Sequence, residues 1–185
     1  MALIPSAMMP LGTIAPDFTL PDTVSGKSFT LNDISGAKGI LVMFICNHCP
    51  YVKKIEQGLA QLGKDYVDSG IGIVAINAND TVNYPDDAPD KMKALAERVG
   101  YTFPYLFDET QEVAHAYNAA CTPDLFLFAA DLKCVYRGQF DSARPGNDAP
   151  TTGADIRQAM DLLIAGKPVP AEGQCPSVGC SIKWK

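Results

Sequence analysis

Long apolar runs are missing from this sequence. No stretch approaches the ~18 unbroken apolar residues that would let a helix cross a bilayer, which argues against a membrane protein. An excess of positive charge is missing too. The formal net charge is −6, a balance that favours solubility and works against non-specific binding to nucleic acid. The opening segment Met1-Ala2-Leu3-Ile4-Pro5-Ser6-Ala7-Met8-Met9-Pro10 carries no basic residue, and prolines interrupt its apolar stretch. It does not read as a secretory signal, so a cytoplasmic location is the expectation. Internal repeats, low-complexity tracts and an early linker are likewise absent.

What remains is ordinary globular material. The 185 residues are 47% apolar and 19% charged, enough for one domain with a full core. Six cysteines then need a reason, because a reducing compartment does not favour structural disulfides. They are Cys46, Cys49, Cys121, Cys134, Cys175 and Cys180. Closely spaced cysteines in such a setting point to redox chemistry or to zinc.

The hydrophobic pattern predicts the elements. Ala15 to Pro21 is an extended lead-in, and Ser28-Phe29-Thr30-Leu31 alternates as a short strand. Gly39 to Ile45 is apolar throughout, as expected of a strand buried on both faces. From Pro50, the residues Val52, Ile55, Leu59, Leu62 and Tyr66 step by three and four, which predicts a helix with one buried face. Ile71 to Ile76 is a second buried strand. Helices are expected over Asp90–Val99 and Thr110–Tyr117. Leu125 to Phe128 and Cys134 to Phe140 should pair as an antiparallel hairpin, and a last helix over Asp155–Ala165 should stop at Gly166. The order β-α-β-(α-α)-β-β-α predicts an α/β fold: a mixed central sheet flanked by helices on both faces. This is the arrangement of thioredoxins. The domain is expected to span residues 1–166, N-terminal extension included, with 167–185 as an irregular C-terminal tail.

Cys46-Asn47-His48-Cys49 falls where a buried strand ends and a helix begins. A helix N-terminus has unsatisfied N–H groups and a positive partial charge, so it favours a thiolate, the form that attacks disulfides. On this reading Cys46, ahead of the first turn, is exposed and is the nucleophile; Cys49, one turn in, resolves the mixed disulfide. Two other readings are a half zinc site, completed by Cys175 and Cys180 or by His115, and a pair of inert cysteines. The strand-to-helix position favours the redox reading, with no metal and no organic cofactor. His48 is expected to tune the pair by stabilising the thiolate, and hence the reduced form. Dithiols of this fold span roughly −270 to −120 mV, about 7 kcal/mol for two electrons, and a potential above the low end follows. Thr122-Pro123 lies where this fold sets a cis-proline facing the dithiol. Thr122 would then present its backbone to a substrate peptide.

Several segments resemble one known family. They are Phe44 to Val52 around the dithiol, Asn77-Ala78-Asn79-Asp80, Phe103-Pro104-Tyr105-Leu106, Cys121-Thr122-Pro123-Asp124, Tyr136-Arg137-Gly138-Gln139 and Gly179-Cys180-Ser181-Ile182-Lys183-Trp184. Together they look like the peroxiredoxin-like branch of the alkyl hydroperoxide reductase/thiol-specific antioxidant superfamily. The resemblance implies the thioredoxin fold and thiol redox chemistry. Two departures separate the chain from true peroxiredoxins. Cys49-Pro50 looks like their peroxidatic Cys-Pro, but Val42 and Cys46 stand where the family pattern has Pro and Thr or Ser. No arginine occurs between Arg98 and Arg137. Without hydroxyl and guanidinium, peroxide is neither oriented nor polarised. Two more departures separate it from ordinary thioredoxins: Ile45 stands in the position of a tryptophan, and Ile40 in that of a buried carboxylate.

Cys121 and Cys134 read first as small buried hydrophobes, Cys121 also as an accessory thiol near the dithiol. Cys175 and Cys180 share the tail and could exchange electrons with Cys46 and Cys49. Alternatively Cys180 caps the site with Trp184, or Ile182 and Trp184 dock the tail for stability. The expected function is thiol–disulfide exchange serving cellular redox balance. Its partners would be protein or low-molecular-weight disulfides and a thiol reductant. The alternatives are a slow thiol peroxidase and a non-enzymatic redox sensor.

Overall fold

The computed structural model describes residues 3–185; Met1 and Ala2 of the opening segment lie outside the described residues. Its central sheet has five strands: β4 (Gly39–Phe44), β5 (Ile71–Asn77), β6 (Tyr105–Phe107), β8 (Asp124–Ala129) and β9 (Cys134–Gly138), in spatial order β6-β5-β4-β8-β9. The pairs β4–β5 and β5–β6 are parallel, whereas β4–β8 and β8–β9 are antiparallel. This is the mixed sheet expected from the sequence.

Every residue of β4 is buried, and the strand's two-residue period sorts its side chains between two cores. Leu41 and Met43 join the cluster under α2 (Pro50–Asp65), α3 (Pro89–Val99) and α5 (Ala154–Ile164). Ile40, Val42 and Phe44 join the other, with Leu31 of α1 (Leu31–Ile34) and Ala114 of α4 (Glu112–Ala116). Helix α2 is held by the stripe read from the sequence. Val52, Ile55, Leu59, Leu62 and the adjoining Tyr66 are buried, each large aliphatic worth about 2 kcal/mol. Gly100 closes α3 in the left-handed conformation, φ 81°, which costs glycine nothing.

The short strand read at Ser28 is β3 (Ser28–Thr30). Several others went unread: β1 (Leu3–Pro5), β2 (Thr19–Pro21), β6, β7 (Cys121–Thr122) and β10 (Val178–Ser181). The last corrects the irregular tail. β10 is the middle strand of a second, three-stranded antiparallel sheet in order β1-β10-β7. Ile182 beyond it is 2% exposed. A four-residue strand flanked by prolines and glycines has too little periodicity to be seen; its pairing partners lie at the far ends of the chain.

Candidate active site

β4 delivers the chain to Ile45, whose N–H still bonds the Ile76 carbonyl at 3.0 Å. The next four residues turn into α2. Cys49 is the helix N-cap and Pro50 its first residue, a position where the missing proline N–H costs nothing. Across from this turn lies the Thr122–Pro123 bond, which is cis. Cys46 Sγ is 3.1 Å from the Thr122 hydroxyl, and Cys49 Sγ is 3.2 Å from the Thr122 carbonyl.

Burial corrects the expected exposure of Cys46. Cys46 is not exposed; it is 1% accessible and Cys49 is 0%. Burial pushes the Cys46 thiol well up, and hydrogen bonding to Cys49 together with the negative charge of Asp87 pushes the same way. Cys49 moves down, to about 5, chiefly through its neighbour Cys46. Against its burial it also gains the Cys180 S–H and the backbone N–H groups of Val52 and Cys180. Burial and the Thr122 carbonyl favour the neutral thiol. The balance lowers the Cys49 thiol and raises the Cys46 thiol. The helix amide that the sequence suggested for Cys46 reaches Cys49 instead, because Cys49 is the residue that caps α2.

The turn is tied down by a residue the sequence did not single out. Asp87, fully buried, accepts hydrogen bonds from Asn47 N–H (2.7 Å) and from Asn79 Nδ2 (2.8 Å), and sits 2.5 Å from His48 Nδ1. Burial pushes its carboxyl up, but the bonds from His48 and Asn79 and the His48 charge bring it below its ordinary value. Asn47 also donates to the Asp86 carbonyl at 2.8 Å and accepts from the Tyr105 hydroxyl at 3.1 Å. His48 stacks on Tyr84, with ring centroids 5.3 Å apart, and its Nε2 is buried without a partner. Asp87 is forty residues from the dithiol in a short acidic turn, and no spacing rule connects the two.

Ligand atoms of Cys46, His48 and Asp87 lie within 4.8 Å of one another, the one such group among the described residues. They could offer a metal three ligands, but Asp87 is already engaged by Asn47, His48 and Asn79, as suits a carboxylate that holds the loop. His115, weighed as a zinc ligand, stacks on Trp184 at 4.1 Å and is not part of the group.

The accessory cysteines separate. Cys180 Sγ is 2.8 Å from Cys49 Sγ. Cys121 is fully buried, its sulfur 3.5 Å from the Pro123 carbonyl, and burial raises its thiol. Cys134 is buried and Cys175 exposed. Trp184 stacks on His115 and does not cap the dithiol. The Thr122 backbone, expected to be open to a substrate peptide, is paired with the chain's own β10.

Residues 11–137 match the AhpC/TSA family. The chain belongs to the AhpC/TSA family. Among solved structures, an uncharacterized conserved protein from Geobacillus kaustophilus is 54% identical with a TM-score of 0.97, covering 100% of this chain and 97% of that one. A thiol:disulfide interchange protein of the thioredoxin family, from Chlorobium tepidum TLS, is 18% identical with a TM-score of 0.64, over 84% of this chain and 99% of that one. The second shares the thioredoxin-like fold. By sequence, thiol-disulfide oxidoreductase ResA of Geobacillus kaustophilus (strain HTA426) is 33% identical over 117 residues, 63% of this chain and 62% of ResA. The match thus spans less than two thirds of that relative's length. Arg137 binds the Met9 carbonyl and Gln174, and Arg144, which lines the small cavity reaching Pro123, binds the Asp141 and Ala143 carbonyls.

Proposed function

We propose that this AhpC/TSA family member is a thiol–disulfide oxidoreductase that works through Cys46 and Cys49. The observation that carries the reading is the pair itself: two sulfurs at the start of α2, Cys46 Sγ 3.1 Å from the Thr122 hydroxyl and Cys49 Sγ 3.2 Å from the Thr122 carbonyl, with the Cys49 thiol moved down and the Cys46 thiol up. The more easily charged sulfur attacks. Cys49 S⁻ opens a substrate disulfide R–S–S–R′ to give Cys49–S–S–R, and R′–S⁻ leaves with a proton. Cys46 then attacks Cys49–S–S–R, forming the Cys46–Cys49 disulfide and releasing R–SH. A thiol reductant restores the dithiol. This order reverses the one read from the sequence, because a thiol that keeps its proton is a poor first nucleophile.

Substrates of this reading are protein or low-molecular-weight disulfides, and a cytoplasmic setting, where thiols are held reduced, goes with it. The name of ResA supports the reaction class. His48, held by Asp87 beside the pair, is the residue proposed to tune it. The test is release of the leaving thiol from an aliphatic disulfide. Cys49→Ser should lose that release, whereas Cys46→Ser should keep it. Undiminished release from Cys49→Ser would sink the assignment. Peroxide consumption matching the disulfide rate would favour the peroxidase reading instead.

A further inference from the structure

The chain's own tail lies where a substrate peptide would. β10 runs antiparallel to β7 with Cys180 opposite Thr122 and Ser181 opposite Cys121. A peptide adding a strand to β7 would use the same backbone groups. The close fit depends on Gly179, where a Cβ would come 2.0 Å from the Thr122 carbonyl oxygen and 3.2 Å from Pro123 Cδ. Just past β10 the tail is clamped. Ile182 N–H bonds the Ala120 carbonyl, the Lys183 carbonyl accepts from Asp80 N–H and Gln111, and Lys183 N–H bonds Asn79 Oδ1. The same Asn79 donates to Asp87, so one side chain joins the tail to the carboxylate that holds His48. The cavity reaching Pro123, lined by Tyr51, Ile55, Phe140, Ser177 and Val178 among others, measures about 10 Å³. That is no more than room for a single water.

We propose that Cys180 is a third redox thiol, presented to Cys49 by β10 as a substrate cysteine would be. This rests on the dithiol exchange above and extends it: Cys49 is a hub with two possible resolving partners, Cys46 and Cys180. In the first step available to it, Cys180 attacks Cys49–S–S–R, so that the Cys49–Cys180 bond forms and R–SH leaves with the Cys180 proton. In the second, Cys180 attacks Cys49 within the Cys46–Cys49 disulfide. The Cys49–Cys180 bond forms, the Cys46–Cys49 bond breaks, and the proton of Cys180 passes to Cys46. Neither step needs an oxidant beyond the substrate disulfide.

The electrostatics keep Cys180 quiet until it is wanted. Burial raises its thiol, and hydrogen bonding to Cys49 and the negative charge there raise it further, while Lys183 lowers it; the net is about 12. When Cys49 enters a disulfide its charge disappears, and with it the two contributions from Cys49, while burial still raises the thiol. The Lys183 contribution remains. Cys180 is 5% exposed against 1% for Cys46 and 0% for Cys49, so transfer also moves the disulfide outward, onto a strand outside the residues matched to the family.

The experiment oxidises the reduced full-length chain with oxidised glutathione, quenches in acid, blocks free thiols and maps disulfides by mass spectrometry. Cys46→Ser is expected to collect mainly as the Cys49–Cys180 disulfide, wild type as both disulfides, and Cys180→Ser as Cys46–Cys49 alone. A Cys46→Ser chain that stops at the Cys49–glutathione adduct overturns the proposal. Should that variant not fold, the wild-type map decides: no Cys49–Cys180 link at any degree of oxidation overturns it equally. Failure of the dithiol reading looks different, since Cys180→Ser would then form no Cys46–Cys49 disulfide.

Discussion

Replacing Asp87 by asparagine tests whether one buried carboxylate organises the dithiol loop. The change keeps the shape and removes the charge. A carboxylate accepts at both oxygens, here from Asn47 N–H, His48 and Asn79. An amide presents one oxygen and one NH2, so at least one donor among the three faces another donor. Hydrogen bonds to charged groups contribute about 1.5–3 kcal/mol each, and leaving a buried donor unmatched costs a similar amount. The loss should therefore be about 3 kcal/mol. For a domain of this size each kcal/mol moves Tm by about 2–4 °C, so the expected fall is about 6–12 °C by calorimetry on the reduced protein. The acid limb should change as well. The native Asp87 carboxyl is depressed, so its stabilisation is present above the unfolded value, near 4, and is lost as pH falls through the native value. In Asp87→Asn that part of the acid loss should vanish. Removing the charge should also ease ionisation of Cys46, which Asp87 opposes. A Tm within about 1 °C of wild type, with unchanged pH dependence, would refute the role given to Asp87.

Two further outcomes follow from the same geometry. Because Cys49 ionises at about 5 in place of 9.0, its contribution to the stability of the reduced protein should be lost as pH drops from 9 through 5, a loss that Cys49→Ser should not show. A reduced protein whose stability is flat across that window would contradict a thiolate at Cys49. Thr122→Val removes the hydroxyl 3.1 Å from Cys46 Sγ, which lowers that thiol. Losing about 1 kcal/mol of hydrogen bonding should slow formation of the Cys46–Cys49 disulfide about fivefold; an unchanged rate in rapid-quench measurements would remove the hydroxyl from the mechanism.

The sequence reached much of the fold by local rules. The all-apolar run at Gly39 to Ile45, the three-and-four stepping from Val52 to Tyr66 and the hairpin ahead of Gly138 each carry their structure within a short window. The dithiol and Thr122-Pro123 were legible for the same reason, since each belongs to one turn. The short strands β1, β6, β7 and β10 were not legible, because two to four residues hold no period. What makes them strands is a partner far away in the chain.

The sequence by itself determined that two cysteines stand at a strand-to-helix junction in a thioredoxin-like sheet, because propensity and burial pattern act over neighbouring residues. Only the tertiary structure decided which sulfur is the more easily charged. That depends on donors and charges brought in from elsewhere: Asp87 from forty-one residues beyond Cys46, and Cys180 from 131 residues beyond Cys49. Electrostatic energy follows distance in space and loss of water, and neither is written in the spacing of residues along the chain.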